Sequence, residues 1–154
     1  MKKKVLIGII ALIVLIIVGY WLYWWYNTPH VISSNVNNVS IQLGTSHVLV
    51  EAKTSEVKYK NENFRIDSLK FPGKISEEEI NMLINNTEII DRKNINIKMF
   101  SGFEGVISKS SDPSVVGSKV IIMWKENKVI VVTSKSEMEN MKFIAEWYGD
   151  LYEN

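Results

Sequence analysis

The pattern of apolar and polar positions divides the chain into two parts. Residues 5–26, "VLIGIIALIVLIIVGYWLYWWY", are 22 uncharged and mostly apolar positions with no amphipathic period. As a helix rising about 1.5 Å per residue they extend about 33 Å, enough to cross the hydrocarbon core of a bilayer. Residues 27–46 are then polar and uncharged, rich in Ser and Asn, with "VSIQL" (39–43) as one strand-like patch. They read as a tether. From residue 47 onward the apolar positions recur with short periods, and 47–154 reads as one α+β domain: a mostly antiparallel sheet of about five to seven strands, one short helix and a C-terminal packing helix.

Strand patterns fall at "HVLVEA" (47–52), "EVKYK" (56–60) and "FRIDSLKF" (64–71), where Phe64, Ile66 and Leu69 point to a buried side with an irregularity before Phe71. Pro72-Gly73 marks a turn. "INIKMF" (95–100) and "FEGVIS" (103–108) read as paired strands around Ser101-Gly102, and 109–119 as a flexible loop. "KVIIMWK" and "KVIVVT" flank Glu126-Asn127 in a hairpin pattern. Their nearly continuous apolar content calls for cover on the sheet, which the last segment, 136–152, supplies.

Two helix starts carry capping boxes. Ser76 precedes Glu79 by three residues, with Ile75 and Ile80 in staple positions, and Ser136 precedes Glu139 in the same way. The acidic run Glu77, Glu78 and Glu79 suits the positive end of a helix dipole, and no calcium-loop pattern accompanies it. In the last helix Met138, Met141, Ile144, Ala145, Tyr148, Leu151 and Tyr152 recur at helical spacing as a core-facing stripe.

Charge fixes the orientation. Between Lys4 and Glu51 there is no Asp, Glu, Lys or Arg, while "MKKK" (1–4) supplies a basic flank. That flank stays cytoplasmic, so 5–26 reads as a retained signal-anchor helix in the cell membrane with the rest outside. A cleaved signal would need small residues where the bulky aromatics stand. Tyr20, Trp21, Tyr23, Trp24, Trp25 and Tyr26 point in nearly every direction around a helix, which fits a membrane-interface belt in contact with the lipid bilayer better than a single-sided partner stripe. Asn27-Thr28-Pro29 ends the helix.

The 18 basic residues less the three N-terminal lysines leave 15 against 17 acidic, a formal charge of −2, which offers no footprint for nucleic acid. The absence of cysteine excludes disulfides, thiolate metal sites and cysteine nucleophiles. His30 and His47 lack the partners and spacing of a metal site. Ser55-x-x-Lys58 matches a serine-nucleophile motif in letters, but it falls on a strand pattern without its companion elements. Asn38 and Asn85 head sequons that can accept glycans outside a cell. No catalytic residue, cofactor site or metal site is expected.

The tail pattern "FSGFEGVIS", loop, "VIIMWKENKVIVVTS", capped helix resembles small membrane-anchored extracytoplasmic domains of prokaryotes, lipoprotein-carrier-like and related, over residues 95–152. The resemblance implies binding of lipids, peptides or partner proteins. With an anchor, a compact domain and no catalytic constellation, the expectation is a single-pass cell-envelope binding or protein-interaction module without catalysis, with an envelope protein as partner. The alternative is a carrier or sensor of a small apolar ligand or lipid held between sheet and helix, and an envelope hydrolase stands behind both.

Overall fold

A computed structural model describes residues 2–153; Met1, Asn154 and the side chains of Tyr152 and Glu153 lie outside the described residues. The chain runs α1 (Lys2–Asn27), β1 (His30–Leu43), β2 (Ser46–Tyr59), β3 (Glu62–Lys70), α2 (Glu77–Leu83), β4 (Glu88–Ile97), β5 (Phe100–Lys109), a 3-10 turn (Pro113–Val115), β6 (Lys119–Lys125), β7 (Lys128–Ser134) and α3 (Met138–Glu153). The seven strands form one sheet in the order β1-β2-β3-β7-β6-β5-β4 with every neighbouring pair antiparallel. This is an α+β arrangement preceded by an apolar helix.

The central strands dictate the rest. In β6 and β7 both parities are apolar, and Val120, Ile121, Ile122 and Met123 are all buried in succession. Alternate residues of a strand point to opposite faces, so the sheet must be covered twice. On one face α3 lays Met141, Ile144, Ala145 and Tyr148 over Ile121, Met123, Ile130, Val132, Phe64 and Ile66. On the other, Ile75 and Ile80 at the start of α2 join Val50, Phe103, Ile122 and Val129. Ile41, Leu43 and Val48 from the far end of the β1–β2 hairpin pack against that second cluster.

Tight turns set the register. Tyr59 pairs with Glu62 across Lys60 and Asn61, whose φ values of 49° and 59° are the left-handed pair of a type I′ turn. Ile97 pairs with Phe100 across Lys98 and Met99. The turn expected at Ser101-Gly102 therefore sits three residues earlier. Gly102 is instead a strand residue opposite Met123, where an added Cβ would drive into the Ile122 carbonyl.

Other expectations are refined. Residues 30–43, read as a tether, form β1 and pair with β2 from His30↔Lys58 to Leu43↔Ser46. Alternating Val, Ser and Asn there satisfies a strand as well as a loop, and only the pairing partner decides. The segments 47–52 and 56–60 are one strand. Leu69 faces away from Phe64 and Ile66 and joins the second cluster. The Ser76 cap forms, its hydroxyl accepting from the Glu79 N–H at 3.3 Å. At the last helix, Ser136 is buried and its hydroxyl accepts from Asn140 Nδ2 at 3.2 Å, while α3 begins two residues later. Leu151, expected on the packed stripe, is 54% exposed, so the buried stripe of α3 runs from Met141 to Tyr148.

The two ends of the stripe thus differ. Ile144→Ala is expected to lower unfolding free energy by about 2–5 kcal/mol. Leu151→Ala is expected to stay within about 0.5 kcal/mol. Denaturant unfolding of the full-length protein in detergent, followed by near-UV circular dichroism, distinguishes them.

Candidate binding surfaces around the sheet

The junction between helix and sheet is built, not loose. No residue of α1 is buried, and its mean hydropathy of 3.0 over the most apolar window makes it long and apolar enough to span a membrane. Tyr20, Trp21, Tyr23, Trp24, Trp25 and Tyr26 are all exposed, like the rest of the apolar side chains of α1. The last carbonyls of a helix lack intrahelical donors. Here two of them are met, Trp25 by His30 Nε2 at 3.0 Å and Tyr26 by the Lys60 N–H at 3.1 Å, while Asn27 Nδ2 donates to the Tyr23 carbonyl one turn back at 2.9 Å. The His30 ring also stacks on Trp25 at a centroid distance of 3.8 Å. The β2–β3 turn and the root of β1 are both fastened to the end of α1.

The two edges of the sheet are unlike. β4 carries Glu88, Asp91, Arg92 and Lys93, has register shifts on both sides of Ile89–Ile90, and puts Asp91 at φ 55°. Arg92 lies 3.6 Å over the Phe103 ring and donates to Asn81 of α2 at 3.0 Å, tying that edge down. Charges and bulges of this kind stop further strand pairing. β1 has none of the charges. Its 14 residues carry one irregularity, between Val31 and Ser33, and every side chain from Val31 to Ser40 is exposed. Its side away from β2 has no neighbour in the sheet.

A cavity of about 190 Å³ opens on the face opposite α3. Its floor is Ile107, Val120, Ile122 and Val131 from β5, β6 and β7; Ile84 and Ile89 wall one side and Val115 the other. Thr87, Ser110, Thr133, Arg65, Asp67 and Asp112 line it as well. The Arg65 guanidinium forks onto Asp67 at 3.0 and 3.4 Å, and Thr54 donates to the same carboxylate at 2.8 Å. Asp112 caps the 3-10 turn, accepting from the Ser114 hydroxyl at 2.6 Å and the Ser114 N–H at 3.0 Å. The Ser114 hydroxyl, then its backbone N–H, hold the Asp112 carboxyl below its ordinary value; desolvation opposes them, and the Arg65 charge adds a lesser lowering. The loop read as flexible is therefore structured, with Gly117 (φ 85°) donating back to the Ile107 carbonyl at 2.8 Å.

By contrast, the space between sheet and α3, where the alternative reading put a small apolar ligand, is filled by packed side chains. A buried carboxylate faces it: Glu104 is 8% exposed, with Oε1 3.5 Å from Lys142 Nζ and Oε2 buried without a hydrogen-bond partner. Ser55 is buried while Lys58 is exposed, their side chains on opposite faces of β2, so the Ser-x-x-Lys letters bring no pair together. Asn38 on β1 and Asn85 after α2 are both exposed. Among the described residues no group of three or more His, Asp or Glu is placed to hold a metal.

The cavity was hidden from the sequence, since its floor residues read only as core. Asp112-Pro113-x did carry a legible signal, a capping acid before a proline at the first helical position. No protein-family model matches the chain, and neither a curated protein nor a solved structure matches it.

Because the folded-state value of Asp112 is depressed, its contribution is present above the ordinary value and is lost as pH falls through the lower folded value. The Ser114 amide proton, followed by NMR of the full-length protein, should therefore titrate with a midpoint below 3.8. Asp112→Asn should abolish that titration.

Proposed function

We propose that the protein is a single-pass, membrane-anchored extracytoplasmic module that binds a protein partner without catalysis, the partner adding a strand to β1. The basic flank at residues 2–4 sits inside and the sheet outside, by the distribution of lysines around short membrane segments. The observation that carries the binding reading is the contrast between edges: β4 is charged, bulged and pinned, whereas β1 offers a row of unpaired backbone groups over 14 uncharged residues. Edge backbone groups give affinity in strand addition, and exposed side chains on the two faces of β1, such as Val36 and Val39, give selectivity.

A natural edge refuses strands with lysine. Asn35→Lys combined with Asn37→Lys puts two charges at exposed positions opposite Thr54 and Ala52, where no like charge waits. Cross-linking in the native membrane followed by affinity purification should capture a partner with the native chain. Capture should fall by roughly tenfold or more with the double variant, a loss of about 1.4 kcal/mol in binding. Equal capture by both, or capture by a chain keeping residues 1–30 with an unrelated outer domain, would overturn the β1 reading. Turnover of any substrate by the purified protein would overturn the non-catalytic one.

A further inference from the structure

We infer that the cavity opposite α3 is a second, separate binding site, for a short aliphatic molecule whose polar head is neutral or cationic. Three features of the lining fix that class. First, Ile and Val supply every apolar lining side chain, with no aromatic platform, so planar rings gain nothing from stacking there and an alkyl chain gains burial.

Second, the cavity holds about 190 Å³, below the roughly 300–1,000 Å³ usual for drug-sized ligands. A short single chain fits and a two-chain membrane lipid does not.

Third, the polar lining selects the head. It contains one cation, Arg65, against two carboxylates, Asp67 and Asp112. Arg65 is already forked onto Asp67, so an anionic head would have to displace a bidentate partner while facing the second acid. An amine meets net negative charge, and an alcohol or amide meets the hydroxyls of Thr87, Ser110 and Thr133. The site shares no residue with β1 and does not depend on strand addition there.

The floor itself provides the readout. Full-length protein in lipid nanodiscs, labelled at isoleucine methyls, is titrated with hexylamine, hexanol, hexanoate and benzyl alcohol, and the methyls of Ile107 and Ile122 are followed by NMR. Nanodiscs replace detergent because a detergent alkyl chain would compete for the cavity. Hexylamine and hexanol should shift both methyls saturably, and hexanoate should bind roughly tenfold more weakly or worse. Ile122→Phe, which fills the floor, should remove the shifts at Ile107. Absence of saturable shifts with all four compounds would overturn the site. Hexanoate binding as tightly as hexanol would overturn the head-group assignment, and benzyl alcohol binding more tightly than hexanol would overturn the aliphatic one. Should Ile122→Phe fail to fold, the ranking of the four compounds on the native chain still decides.

Discussion

A sheet whose central strands are apolar on both faces cannot stand with one face in water, and every other part of this domain answers that requirement. β6 buries four consecutive side chains, two to each face. One helix of suitable length, α3, closes the first face with a stripe that includes three fully buried residues, Met141, Ile144 and Ala145. The second face has no such helix. It is closed piecemeal by short α2, by the far end of the β1–β2 hairpin and by the capped loop after β5. Covers assembled from pieces leave a gap where they meet, and the cavity above Ile107 and Ile122 is that gap. The space for a ligand and the filled core under α3 follow from one asymmetry in how the two faces are covered.

How much of this is legible from sequence depends on whether the deciding interaction is local. The long apolar helix, the final hairpin and the Ser76 cap were readable because each rests on residues within a few positions of one another. The pairing of residues 30–43 was not readable, since a polar uncharged run becomes a strand only when β2 lies beside it. Gly102 misled for a related reason: glycine signals a turn by default, but here the tight neighbour is the backbone of β6. The aromatic positions Tyr20 to Tyr26 were placed on the exposed end of α1 from composition alone. The lining of the cavity draws on β3, the α2–β4 connection, β5, the following loop, β6 and β7, and no window of sequence contains that juxtaposition.

The surface chemistry is sorted by edge as well. One edge spends charged residues, a bulge and a cation over an aromatic ring on staying solitary. The other carries no charge from His30 to Leu43, although the domain beyond it is rich in lysine and glutamate. Exposed ion pairs such as Lys109–Glu88, at 3.5 Å, add little to stability.

The junction at Trp25, Tyr26, His30 and Lys60 gives the molecule a mechanical character. β1 begins three residues after α1 ends, and it pairs with β2 along nearly its whole length. A pull directed along β1, between α1 and the body of the domain, enters the sheet at His30 and runs along the strand. It loads the rungs of the β1–β2 ladder together in shear instead of opening them one after another. The longest pairing in the domain thus lies where tension between α1 and the domain would arrive.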